Sequence, residues 1–401
     1  MHSISLGKIK TSIMKRVITT ERAPIKLWLD NIESGALSQA INLANLPFIF
    51  KHLAIMPDAH QGYGMPIGGV MATKGVIVPN AVGVDIGCGM CAVKTSLASL
   101  CNSDLLKIVE LIKKKIPVGF SHQQKAQDEN LMPFIRDIES RKILYQEYKS
   151  ALTQLGTLGG GNHFIEIQKG DDGFIWIMIH SGSRNIGYKV AKYYNDLAIS
   201  INEKYYSKVE KSQELAFLPI DTVEAKNYFI DMQYCVEFAL ANRKLMMGNV
   251  KEIFDKVYTG VTFEPIINIA HNYAKWEHHF KQDVIIHRKG ATSAKLGEIG
   301  IIPGSMGTKS YIVEGLGNKE SFNSCSHGAG RKMGRKQAQK DLNLVEEIGR
   351  MDIQGIVHSI QTEKDLDEAP GAYKNIDVVM ENQKDLVKIL VELKPLAVVK
   401  G

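Results

Sequence analysis

Hydrophobic and polar positions alternate along this chain with two periods, near 2 and near 3.6, and neither dominates. Short apolar runs predict strands at residues 16–20, 52–56 and 92–97, with a helix near 37–46 between the first two. Asn102 or Ser103 caps a helix whose apolar residues Leu105, Ile108, Val109 and Ile112 recur at helical spacing, and Pro117 stops it. The polar segment 121–139 predicts an exposed loop with a helix following. Strands are expected at 164–167 and 174–179; the run FIWIMI lacks alternation, which suits a strand covered on both faces. Helices follow at 183–202 and 221–258, strands at 284–288 and 311–313, and a last helix at 377–393 before a short tail ending in VVKG.

The stretch from Met56 to Met90 breaks this pattern with eight glycines between Gly62 and Gly89. Glycine in a helix interior costs about 1 kcal/mol relative to alanine, whereas tight turns and close backbone approach favour it. Asp58, His60, Asp85 and Cys88 lie in this stretch, and all can bind metal or move protons. It is therefore expected to form the floor of an active site. A second glycine cluster, 156–161, precedes His163.

No repeat, low-complexity tract or Pro/Ser-rich linker divides the chain, and the chemically loaded residues run from 58 to 327. They must converge in space. The expected fold class is α+β: one large domain over 17–401, with buried mixed β-sheets flanked by helices around a central cleft. Residues 1–16 read as a peripheral extension, with Met1 or Met14 as the start. Net charge of +6 is compatible with a nucleic-acid partner without demanding one. Five cysteines, an odd number in a long chain, argue against a disulfide framework and for a reducing, cytoplasmic setting. No run approaches 18 apolar residues, so no membrane span is expected, and no secretory signal is read.

Of His163, His180, His271, His287 and His327, several stand at expected strand ends or in glycine turns. With Asp85 and Cys88 they predict a metal site. Zn²⁺ would accept this donor set, and a thiolate shared by two ions would suit phosphoryl transfer. Spacing leaves open one ion or two, and Zn²⁺ or Mn²⁺. Cys91 reads as a bystander, Cys101 and Cys235 as structural. The loops GGGNH, PGSMG and HGAGR offer backbone N–H groups to phosphate, the last running into an expected helix at 331–341. P-loop and dinucleotide fingerprints are absent. His327 is a nucleophile candidate, or else an incidental residue of a capping turn. Arg288, Lys289, Arg331, Lys332, Arg335 and Lys336 could line a polyanion path or form a solvated face.

The segments MPDAHQGYG, PIGGV, AVGVDIGCGM, GTLGGGNHFIE, MIHSGSR, AHNY, RKGAT, IIPGSMGTKSYIVEGLGN, CSHGAGR, AYKNID and VKG, in this order, resemble the RtcB family of RNA ligases. The resemblance spans about 17–401. It implies a GTP- and Mn²⁺-dependent enzyme that joins RNA 2′,3′-cyclic phosphate or 3′-phosphate ends to 5′-hydroxyl ends, in RNA repair or tRNA splicing. Asp85, Cys88 and His163 would hold one Mn²⁺, and Cys88, His180 and His271 a second. His327 would carry GMP. Guanylate contacts would fall on Asn162, His163, Phe164, Ile165, Glu166, His271, Asn272, Pro303, Gly304, Ser305, Met306, Ser310, His327, Gly328, Ala329, Gly330 and Lys400. Tyr373 is a further candidate for stacking near the base, and Lys400 implies an ordered tail. Asp58 and His60 would support the ligands or touch the RNA end. Segment 121–139 has no evident counterpart and could bear on RNA choice; an activating protein partner is allowed. A metal-dependent phosphohydrolase and a non-catalytic RNA-binding protein are the competing readings.

Overall fold

The run FIWIMI forms the strand Ile175–Ser181, buried along its whole length. Successive side chains point to opposite faces, so the strand feeds two cores at once. Ile175, Ile177 and Ile179 pack with Cys91, Val93 and Ile165 against the helices Asn102–Lys115 and Val223–Val257. Trp176 and Met178 pack on the other side with Met90, Phe164, Ile301, Met306 and Met351. Its hydrogen-bonded neighbours are Gly89–Lys94 and Phe164–Gly170, the inner part of a seven-stranded sheet.

The computed structural model describes residues 14–205 and 207–401. Most of the expected extension 1–16 therefore lies outside the described residues; Arg16 already opens the strand Arg16–Ile18. A second sheet of six strands contains Ile49–His60, Ile67–Thr73, Asn272–His279 and Gln282–Lys289. One face covers Ile302, Tyr311, Phe322 and Val379, and the other packs on the helix Ser34–Ala44. The 35-residue helix Val223–Val257 is capped by Thr222, whose hydroxyl accepts from the Ala225 N–H at 3.2 Å. Its side chains enter cores on both sides, which makes the sheets and helices one α+β unit.

Three expectations need correction. The helix expected at 377–393 is only Ile376–Glu381; Val387–Lys400 is a 14-residue strand between Phe164–Gly170 and Ser310–Gly315. Pairing on both edges overrides a local pattern that alone fits either state. The strand expected at 92–97 starts at Gly89, and the glycine-rich stretch itself holds the strand Ile67–Thr73. The helix expected from 331 begins only at Arg335, because Arg331 forms a bridge with Tyr373.

Candidate active site

The two sheets and the loops between them enclose a cleft of about 1090 Å³. Strand ends carry the chemistry into it. Cys88 ends the tight turn before Gly89–Lys94, His180 is the last residue but one of the strand Ile175–Ser181, and His271 lies between the strands Ile267–Ala270 and Asn272–His279. Cys88 Sγ lies 3.3 Å from His180 Nε2 and 3.4 Å from His163 Nε2. His180 Nε2 is 3.4 Å from His271 Nε2, and His163 Nε2 is 3.2 Å from Asp85 Oδ2. Two donor sets result, Cys88–His180–His271 and Asp85–Cys88–His163, with Cys88 in both.

These residues fit a metal ion. His180 Nδ1 donates to the Asn162 carbonyl at 3.0 Å, leaving the lone pair on Nε2. That lone pair faces Cys88 Sγ and His271 Nε2. Two ligands about 2.1 Å from a tetrahedral ion stand about 3.4 Å apart, close to the spacing here. Burial holds His180 and His271 well below the usual imidazole range, so both are neutral at pH 7. Burial and the neighbouring Asp85 push the Cys88 thiol up, a preference that a bound cation would reverse by deprotonating it. Gly182 permits the close packing, since a Cβ there would lie 2.2 Å from Asp85 Oδ1.

His327 stands at the edge of this cluster, its ring 4.8 Å from that of His271. Asp58 Oδ2 accepts from both its Nδ1–H, at 2.6 Å, and its backbone N–H, at 3.1 Å. Nε2 is thereby left with its lone pair. Although burial pushes the Asp58 carboxyl up, the His327 ring and the Lys374 ammonium hold it below its usual range. Lys374 binds the Ala59 carbonyl and so anchors the end of the same strand, Ile49–His60. Gly330, at φ 71°, lets the HGAGR loop lie against this strand; a Cβ there would stand 2.0 Å from the Asp58 carbonyl oxygen.

Asp58 is fully buried, so the idea that it touches an RNA end is corrected: it seats His327. His60 does line the cleft. So do Asn162, Phe164, Glu166, Asn272, Pro303 to Met306, Gly328 to Gly330, Tyr373 and Lys400. Ile165 does not, because strand alternation sends it into the helical core. Ser310 lies behind the Pro303 loop, its hydroxyl accepting from the Gly304 N–H. His287 is a core residue whose Nε2 accepts from the Val78 N–H at 3.0 Å. Arg288 is buried against Glu277, so it leaves the expected basic path, whereas Lys332, Arg335 and Lys336 line the cleft.

Sequence reading missed Glu368. Its carboxylate is ion-paired with Arg331 Nη1 at 3.0 Å, and it accepts from Arg335 Nε at 3.0 Å and from the Tyr373 hydroxyl. The local sequence, EKDLDE, reads as an exposed charged turn and carries no signal of this role. Glu166 is equally buried, and burial pushes its carboxyl up to about 8 against the pull of Gln168 and Lys400. At pH 7 it is a neutral acid able to donate a hydrogen bond. A raised folded-state value means stability is lost as pH climbs from the unfolded carboxyl range towards 8. Glu166→Gln is accordingly expected to melt higher than the parent at pH 8.5, by an energy on the order of a few kcal/mol, and no higher near pH 4. Thermal melts at the two pH values check this.

The family described as tRNA-splicing ligase RtcB matches residues 39–401. The chain belongs to the RtcB family. RNA-splicing ligase RtcB of Escherichia coli (strain K12) is 41% identical over 411 residues, covering 96% of this chain and 99% of that protein. The tRNA-splicing ligases RtcB of Thermococcus kodakarensis and Nanoarchaeum equitans are 32% and 33% identical, each alignment covering 92% of both chains. The RtcB match thus includes every residue of the two donor sets and His327. No helix among the described residues is long and apolar enough to cross a membrane.

Proposed function

We propose that this RtcB-family chain is a GTP- and Mn²⁺-dependent RNA ligase. It joins RNA ends bearing a 3′-phosphate or 2′,3′-cyclic phosphate to ends bearing a 5′-hydroxyl. The observation that carries the reading is the seating of His327: Nδ1 bound to buried Asp58, Nε2 left with its lone pair, and two donor sets sharing Cys88 alongside. A hydrolase would use such an imidazole as a base for water, whereas a ligase of this kind would carry the nucleotide on it, and a covalent label separates the two.

Asp85, Cys88 and His163 would hold one ion, and Cys88, His180 and His271 the other. Such ions neutralise phosphate charge and orient the attacking and leaving oxygens. His327 Nε2 attacks the α-phosphorus of GTP, the bond to the β-phosphate oxygen breaks, and pyrophosphate leaves. An oxygen of the RNA 3′-phosphate then displaces His327 and takes the GMP. The 5′-hydroxyl attacks the 3′-phosphorus, loses its proton, and expels GMP. A 2′,3′-cyclic end is first opened by water to the 3′-phosphate. Glu166 as a neutral acid offers an O–H donor and Lys400 offers N–H donors, so both suit acceptor groups of the guanylate. Lys332 and Lys336, exposed at the mouth, suit an RNA backbone. The family resemblance supports RNA repair or tRNA splicing as the setting and leaves room for an activating protein. Five free cysteines suit a reducing cytoplasm.

Incubation with α-labelled GTP and Mn²⁺, without RNA, tests the reading. An acid-labile, alkali-stable label on the protein, discharged by RNA 3′-phosphate, is the expected result. Phosphate release from RNA ends without label would favour a phosphohydrolase; RNA binding with neither would favour a binding protein.

Two further outcomes follow. Asp58→Asn keeps the shape but removes the fixed charge and replaces one carboxylate oxygen with an amide donor, so the rate of labelling should fall by about 10²- to 10⁴-fold with GTP binding largely retained. Single-turnover labelling against a GTP titration separates the two. Zn²⁺ stands above Mn²⁺ in affinity for such donors, so equimolar Zn²⁺ should displace Mn²⁺ and inhibit. Full ligation with Zn²⁺ alone would refute this.

A further inference from the structure

Asn242 and Arg243 lie side by side in the middle of the helix Val223–Val257, and both are fully buried. Removing a guanidinium from water costs several kcal/mol, and a buried arginine is normally matched to a carboxylate. Arg243 forms no ion pair among the described residues. Its N–H groups go instead to the carbonyls of Gly87 at 3.0 Å, Ser181 at 2.7 Å and Ile269 at 3.2 Å, and to Asn268 Oδ1 at 2.8 Å. Gly87 precedes Cys88, Ser181 follows His180, and Ile269 lies two residues before His271. One planar fork thus ties together the three chain segments that present a whole donor set. Asn242 does the same for the loop that leads to His163. Its Oδ1 accepts from the Gly156 and Thr157 N–H groups, and its Nδ2 donates to the Thr157 and Gly182 carbonyls.

We propose that Asn242 and Arg243 are the positioning pair of the metal centre, holding the strand ends in register so that the donor atoms converge before any ion arrives. The inference rests on reading Asp85, Cys88, His163, His180 and His271 as metal ligands. A buried cation beside a site for divalent ions weakens their binding through its charge alone. Its contribution is therefore geometric. Lysine, with one ammonium and no fork, cannot span three carbonyls in one plane.

Titration of the full chain with Co²⁺, followed by the thiolate-to-metal absorption band and by metal content, tests this without reference to activity. The parent chain should take up Co²⁺ with a strong band. Arg243→Lys and Arg243→Met should each bind it about 10- to 100-fold more weakly, the usual effect of losing a group that orients ligands. Equal losses in both identify the fork rather than the charge. Parent-like affinity and band in folded Arg243→Lys, judged by circular dichroism, would overturn the proposal. If neither Arg243 variant folds, Asn268→Leu decides, since it removes the side-chain acceptor of the fork, together with one bond to the Leu240 carbonyl, and leaves Arg243 in place. A weaker band and affinity there uphold the proposal, and unchanged Co²⁺ binding overturns it. Failure of the parent chain to bind Co²⁺ would instead overturn the metal reading on which the proposal rests.

Discussion

Cys88→Ala is expected to strip the cleft of both ions and reduce RNA joining to background. Cys88 Sγ is the one donor atom common to the two triads, so its loss leaves each with two residues. No nearby side chain can replace it: Cys91 points to the opposite face of its strand, into the core with Val93 and Ile165. A loss of ligation of at least about 10³-fold corresponds to about 4 kcal/mol of transition-state stabilisation, within what bound metals supply. Metal content after dialysis and ligation of a 3′-phosphate to a 5′-hydroxyl RNA measure the two effects. Cys91→Ala is the control and should keep both. Metal retained by Cys88→Ala would refute the shared-thiolate assignment.

His327→Ala should separate chemistry from metal binding. It removes the atom proposed to carry GMP but none of the donors, so metal content should match the parent chain while labelling by GTP disappears. Substrate that already carries GMP on its 3′-phosphate bypasses the histidine, and the variant should still seal it to a 5′-hydroxyl. Label on the variant, or failure on pre-activated RNA with full metal content, would show that His327 does something other than carry GMP. Asp58→Asn occupies the middle ground: it retains the nucleophile but loosens the hydrogen bonds at Nδ1 and the backbone N–H. A graded loss in that variant beside a complete loss in His327→Ala is the signature of a positioned nucleophile.

Much of this arrangement could be read in advance because local rules governed it. The helix at 102–115 has its apolar stripe at Leu105, Ile108, Val109 and Ile112, all buried as helical spacing requires. FIWIMI, without alternation, announced a strand covered on both faces. Other parts had no local signal. The segment 387–400 became a strand because two partners flank it, and Pro395 is accommodated where the register with Phe164–Gly170 shifts. In Asn272–His279 polar residues outnumber apolar ones, and pairing with Gln282–Lys289 makes it a strand. The loop at 121–139 contains only short turns, as its weak patterning implied.

By itself, then, the sequence determined which residue types were available: imidazoles, a carboxylate and one thiolate at chain breaks rich in glycine, in an order that resembles one family throughout. Donor chemistry and backbone freedom are properties of single residues and near neighbours, and they survive in a linear reading. Only the tertiary structure decided which of them meet. His287 and His327 looked alike in sequence, yet one fills the core and the other stands beside His271 with Asp58 at its back. Glu368 and the Asn242–Arg243 pair acquired their partners from segments far along the chain. Such contacts depend on strand pairing and helix packing between segments from 25 residues apart, as for Arg243 and Asn268, to 156, as for Arg243 and Gly87, and no local period encodes them.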